Sequence, residues 1–190
     1  MNPKENSGKI KIENTKNEMV GIYDENDIYL GKDLRKNIRK NNLIHRVTHI
    51  VVSNHKGEIM VQTRALSKEY CPGYFDAVIG GVVGDGEDVQ KSAEREVNEE
   101  IGIDVNNKNR INFIVKYFFD EENICRCWIY CYFLKLNEEE LNSIKFKDKE
   151  ISSIKWFNKN DLIKLFSDSN VKITEASKKT ILHFSSNNII

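Results

Sequence analysis

Three glutamates in this chain are spaced to share one task. Glu96, Glu99 and Glu100 stand at i, i+3 and i+4, with Arg95 beside them and Glu87 upstream. They lie in residues 81 to 103, GVVGDGEDVQKSAEREVNEEIGI. From 88 to 101 the chain reads as a helix, because Val89, Ala93, Val97 and Ile101 recur as an apolar stripe. Asp88 is a good N-cap, and Gly102 can take the left-handed conformation that closes a helix. The three carboxylates therefore project from one side. At about 4 Å two unit charges repel by roughly 1 kcal/mol in water and nearer 4 at an effective dielectric of 20. A divalent cation would relieve that repulsion. Oxygen-only ligands with no supporting His or Cys favour Mg2+, with Mn2+ as a substitute. Most Glu-rich helices are merely solvated acidic faces. Arg95, Glu87 and the bracketing Gly81 and Gly102 are more than such a face requires.

The segment matches G-x5-E-x7-R-E-U-x-E-E-x-G-U, with U aliphatic, at every specified position, and so resembles the Nudix box. The resemblance implies an α/β fold, a Nudix α/β/α sandwich with a mixed sheet. It implies Mg2+-dependent (or Mn2+-dependent) cleavage of a diphosphate linkage in a small molecule, nucleoside diphosphate-X in the broad sense. Glu96 and Glu100 would be direct metal ligands, Glu99 a further ligand or water activator, and Arg95 the anchor that orients the carboxylates. The Gly80 carbonyl commonly completes such a site. Glu150 lies where many Nudix proteins place a loop glutamate that can act as base, although a solvated loop charge is the simpler reading of it. Arg64 and Lys68 have the chemistry to hold phosphate, as bidentate fork and point charge, and also fit plain surface charges.

The elements that must position these groups are visible as alternating runs. Residues 19 to 23 and 28 to 31 flank a turn-forming Asp24-Glu25-Asn26-Asp27 and predict a hairpin, followed by a short basic helix over 33 to 40. Strands are expected over 46 to 53, 58 to 64, 74 to 81, 111 to 119, 124 to 136 and 151 to 157. Helices are expected over 137 to 143, 158 to 166 and 174 to 184. Residues 1 to 17 are polar, rich in Lys and Asn, and read as a disordered tail, leaving one domain over 18 to 190. Basic and acidic residues balance at 29 each, so composition carries no nucleic-acid or membrane footprint. No apolar run approaches the roughly 20 residues of a membrane span and no secretory h-region is present, so a cytoplasmic setting is expected. An oligomer is compatible with all of this.

Four cysteines invite a zinc reading, but Cys125, Cys127 and Cys131 share one strand, whose odd positions face one way. A single strand cannot wrap a tetrahedron, and with Cys71 alone elsewhere they read as core thiols. His45 and His49 share a strand face and read as packed histidines. Tyr74, Phe75 and the Trp128, Tyr130, Tyr132 row offer faces for a base or an isoprenoid, although aromatic rows on strands are usually core.

Residues 21 to 103 also resemble the Nudix branch related to isopentenyl-diphosphate isomerase. The markers are Leu43-Ile44-His45-Arg46, Val61-Gln62-Thr63-Arg64, Lys68 and Cys71-Pro72-Gly73. That isomerase needs a cysteine and a glutamate to move a proton, and histidines for a second metal. Counting from Pro72-Gly73, the cysteine position falls on Gly80 and a histidine position on Val82; another, seven before His45, is Ile38. With the box intact and the proton donor missing, a hydrolase of the isomerase-like branch is the expectation. An isomerase with another donor, or an idle ligand sensor, are the alternatives. Losing a positioned acid costs roughly 10²- to 10⁴-fold. Incubation with isopentenyl diphosphate, Mg2+ and Mn2+, followed by NMR, should therefore show no dimethylallyl product above background; efficient conversion would overturn the hydrolase reading.

Overall fold

The computed structural model describes residues 17–105, 110–122, 124–146, 149–187 and 189–190. The expected tail lies, but for Asn17, outside them. The element order is β1 (Met19–Tyr23), β2 (Tyr29–Leu34), α1 (Arg35–Lys40), β3 (His45–Ser53), β4 (Ile59–Arg64), β5 (Phe75–Asp76), α2 (Val89–Ile101), β6 (Asn112–Glu121), β7 (Cys125–Lys135), α3 (Glu138–Ser143), β8 (Ile151–Phe157), α4 (Lys159–Ser167) and α5 (Glu175–Ser186).

β1 and β2 form a small antiparallel sheet. The main sheet runs β5-β4-β3-β7-β6, with β8 also on β4. It is mixed because β3 and β7 pair in parallel, His45 with Cys127 through Ser53 with Lys135, while every other ladder is antiparallel. Strand alternation divides the core into two layers. Ile50, Val52, Tyr132 and Leu134 face α2, where Ala93, Val97 and Ile101 are fully buried. Val51, Cys127, Ile129 and Cys131 face the other way, onto Leu162 of α4 and Ala176, Ile181 and Phe184 of α5. Helices thus cover both faces, the expected α/β/α sandwich. Burying each such Val or Ile contributes about 1.5–3 kcal/mol, so α2 is held by its stripe rather than by propensity.

The expected strand over 74 to 81 forms only at Phe75–Asp76. β3 and β4 pair only at Ser53 and Ile59 and then diverge. The chain after β5 lies in the gap, bridging Ile79 to Ile50, Val82 to Val47 and Gly84 to Val20. Gln62 Nε2 donates to the Val78 carbonyl from the β4 side at 2.6 Å. Irregular backbone is tolerated there because β3, β4 and β1 supply its partners in turn. β2 is longer than expected, reaching Leu34.

The hairpin is pinned by Asp27, whose side chain is 3% exposed. Its carboxylate accepts from Arg46 Nε at 2.7 Å, from Lys116 Nζ at 2.6 Å and from the Tyr130 hydroxyl. Trp128 Nε1 donates to the Asp24 carbonyl at 2.9 Å, so Trp128 and Tyr130 dock the hairpin, and Tyr132 is core. Among the described residues no helix is long and apolar enough to cross a membrane.

His45 is buried with Nδ1 3.0 Å from the Leu43 carbonyl, and His49 has Nδ1 2.8 Å from Thr180 Oγ1 on α5. Burial pushes both down to about 4 from 6.5. The unfolded chain therefore takes up these two protons first as pH falls. Their contribution is complete above pH 6.5 and declines toward pH 4, by up to roughly 3 kcal/mol per histidine. Thermal melting should fall between pH 6.5 and 5, and His45→Asn with His49→Gln should flatten that part of the profile. An unchanged slope in the double variant would show that other groups set it.

Candidate functional site

Asp88 caps α2 by accepting from the Lys91 amide at 3.0 Å, and Gly102 closes it at φ 77°, donating to Asn98. Between these caps Glu96 and Glu100 point inward and are buried, whereas the Glu99 side chain is 41% exposed. Arg95 ties the helix to the preceding loop. Its Nε donates to Glu87 Oε1 at 2.9 Å, its Nη2 to Glu87 Oε2 at 3.2 Å, and its Nη1 to Glu96 Oε1 at 2.7 Å. Glu99 lies 3.6 Å from the same guanidinium. Glu87 in turn accepts from the Gly84 amide at 2.9 Å, so one bidentate pair fixes both loop and carboxylates. Burial works against the Arg95 charge, but Glu87 and Glu96 outweigh it and hold the group protonated well above its ordinary range.

Gly81 explains itself at this point. A Cβ there would lie 2.4 Å from Glu96 Oε1 and 2.7 Å from its carboxyl carbon, so the slot belongs to the carboxylate. The Gly81 carbonyl accepts from the Thr48 amide at 2.9 Å, and Ile79 exchanges bonds with Ile50 on either side; Gly80 contributes to none of these.

Sheet elements bring in two more charges. Lys68, in the loop after β4, has its Nζ bonded to Glu150 Oε2 and 3.8 Å from Glu100 Oε1. Glu150 immediately precedes β8, whose ladder on β4 sets it beside Ala65, whose amide donates to the Glu150 carbonyl at 2.9 Å. Burial pushes the Glu96 carboxyl up to about 7; Arg95 pulls it down, and Glu99 and Glu150 push it further up. Five carboxylates (Glu87, Glu96, Glu99, Glu100 and Glu150) thus gather around two cations, Arg95 and Lys68, an excess of three negative charges when all are ionised. Among the described residues no three His, Cys, Asp or Glu side chains converge as metal ligands. The reason is visible: Arg95 holds Glu96, and Lys68 lies between Glu100 and Glu150. Hard carboxylate oxygens with a surplus of negative charge are the donor set that suits Mg2+ or Mn2+.

Arg64 already has partners on the β4 side of the cleft. Its Nη1 donates to Asp76 at 2.9 Å and its Nε to the Tyr70 carbonyl at 3.0 Å. Lys68 is likewise placed among carboxylates. The four cysteines are unbonded; Cys127 and Cys131 are buried as core thiols, but Cys71 and Cys125 are half-buried. Ile38 and Val82, at the isomerase histidine positions, pack together with Val20.

Beside the carboxylates opens a cleft of about 740 Å3, lined by Gly80, Gly81, Lys68 and Glu150 and floored by Val78, Phe119, Cys127 and Ile129. Arg35 and Arg39 of α1 line it too, residues to which the sequence reading assigned no role. Their i, i+4 spacing within RKNIRK was the available signal, since it places both on one helix face.

A NUDIX domain model matches residues 43–177. A Nudix hydrolase of Pseudomonas aeruginosa is 36% identical over 140 residues, covering 71% of this chain and 81% of the relative. A Nudix hydrolase of Yersinia pestis is 41% identical over 112 residues, covering 58% of this chain but 59% of the relative, so the match spans about three fifths of that protein. Both relatives are described as uncharacterised. Among solved structures, one from Deinococcus radiodurans aligns with a TM-score of 0.69 at 19% identity, over 88% of this chain and 99% of its own. The NUDIX domain of NrtR from Shewanella oneidensis, solved with ADP ribose, aligns at 0.56 and 12% identity, over 75% and 86%. These two share the fold. With its box spanning 81 to 103 inside the matched region and its guanidinium-tied loop and helix in place, this chain belongs to the Nudix family.

Proposed function

We propose that the chain is a divalent-metal-dependent hydrolase that cleaves a diphosphate linkage in a small molecule of the nucleoside diphosphate-X type. The carrying observation is the five-carboxylate cluster with its surplus negative charge, joined through Glu150 and Lys68 to a cleft of substrate size that both of them line. Glu96 and Glu100, with the Gly80 carbonyl, would hold Mg2+ or Mn2+, and Glu99 would add a further oxygen. Bound there, the metal would neutralise phosphate charge and lower the pKa of a water. Arg95 keeps Glu96 aimed and Glu87 keeps the loop closed on it. Glu99 or Glu150 takes the proton of the attacking water; Glu150 has the support of lying next to Lys68 and near enough to perturb Glu96. Lys68 balances Glu100 and Glu150 and is free to turn to a substrate phosphate when a metal takes that balancing task.

The isomerase-like branch is part of this reading, as a hydrolase rather than an isomerase. A Cβ at Gly80 would lie 2.0 Å from the Thr48 carbonyl oxygen, which leaves no space for the cysteine that isomerisation requires. The apolar packing of Ile38 and Val82 likewise offers no second metal site.

A panel of diphosphate compounds, ADP-ribose among them, assayed by mass for phosphate products, tests the activity. Chelation should abolish turnover and added Mg2+ or Mn2+ restore it; turnover that survives exhaustive chelation removes the mechanism. Glu100→Gln keeps shape and loses ligand charge, so most activity should disappear while circular dichroism stays native, and parental rates would refute the ligand role. Of Glu99→Gln and Glu150→Gln, the one that removes the base should lower kcat by roughly 10²- to 10⁴-fold and erase the acidic limb of its pH profile.

A further inference from the structure

The cleft has a second charged region besides the carboxylates. Six lining side chains are cationic, Arg35, Lys36, Arg39, Lys40, Arg64 and Lys68, and four of them come from α1. Three acids line it: Glu69, Asp76 and Glu150. Arg64 and Lys68 are engaged with Asp76 and Glu150. Arg35 Nη1 donates to Glu18 at 3.0 Å and Arg39 Nη1 to Glu69. A guanidinium carries five N–H donors, so each retains capacity for another anion. Burial, reinforced by Arg35, pulls Arg39 below its ordinary range despite Glu69, as expected where cations outnumber anions.

This region is placed from two sides, for Arg39 also bonds Glu69, the chain neighbour of Lys68. Arg39 sits close enough to Cys125, at the start of β7, for each to perturb the other, and both arginines act on His45. His45 pairs with Cys127 at that end of β3, whereas Gly81 is bonded to Thr48. Three residues of strand, about 10 Å, lie between.

We propose that Arg35 and Arg39, flanked by Lys36 and Lys40, form a second anion subsite that takes a phosphomonoester, so that the preferred substrate is a diphosphate with a further phosphate on one of its halves. This rests on the hydrolase reading of the carboxylates. A fork-shaped guanidinium pair suits a dianionic phosphate better than a carboxylate, because it supplies parallel donors to several oxygens.

Matched compounds differing by one phosphomonoester provide the test: NADPH against NADH, and coenzyme A against dephospho-coenzyme A. In at least one pair the phosphorylated member should show about a tenfold or greater advantage in kcat/KM. Arg35→Gln with Arg39→Gln should bring that ratio toward one, and Arg39→Lys, which keeps charge but not the fork, should retain part of it. Melting curves establish that the variants are folded. Equal or poorer turnover of the phosphorylated member in both pairs, or a preference untouched in the double variant, overturns the subsite. If no compound in either pair is hydrolysed, these pairs lend the hydrolase reading no support, and calorimetric binding of the same pairs with Mg2+ then decides the subsite, equal affinities rejecting it.

Discussion

Carboxylates repel, and the architecture of this protein follows from holding several together. The Arg95 guanidinium is the arrangement's hub: it reaches Glu87 in the loop and Glu96 on the helix, and faces Glu99. Without it, buried Glu96 would face neighbouring negative charge with no direct partner, a situation in which carboxylates protonate rather than ligate. Its own partial burial strengthens each contact by lowering the local dielectric. The same bond closes the loop over residues 81 to 87, through Glu87 and the Gly84 amide.

The sheet converts that local motif into a site. Divergence of β3 and β4 creates the gap in which residues 77 to 84 run, and bonds from Thr48 and Ile50 fix where the loop begins. β8 on β4 delivers Glu150, and the loop after β4 delivers Lys68, so the outer carboxylate and its cation meet at the same end of one antiparallel ladder. α2 stays in place because its apolar stripe is sealed against Ile50, Val52 and Leu134, opposite the face that α4 and α5 cover. A rigid helix on a packed sheet keeps carboxylates aimed more firmly than a loop could.

The cleft gives this cluster a direction. Glu150 and Lys68 line it together with the arginines of α1, and Val78, Ile129, Cys125 and Cys127 add aliphatic and thiol surface. His49 belongs to this wall, bonded to Thr180 of α5, with burial the main reason its pKa is low. The hairpin that supports α1 is anchored by Asp27 to Arg46, Lys116 and Tyr130, so the arginine-bearing helix is braced against the main sheet.

The loop–helix motif was legible in the residues alone because its determinants are local. Spacing at i, i+3 and i+4, Asp88 as cap and Gly102 as stop are properties of one turn or two of chain. The strands of alternating residues, the sandwich class and the one-faced cysteine row on β7 were legible for the same reason. The strand expected over 74 to 81 was not, because its conformation is decided by β3 on one side and Gln62 on the other. Nor could spacing reveal that Glu150 joins Lys68 and Glu100 across 50 positions of sequence, that Arg64 is taken by Asp76, or that Arg35 and Arg39 overlook the cleft. Local periodicity sets which way a side chain faces along its own element; which charges finally meet is set by strand pairing and the packing of separate elements, and only the tertiary structure holds that information.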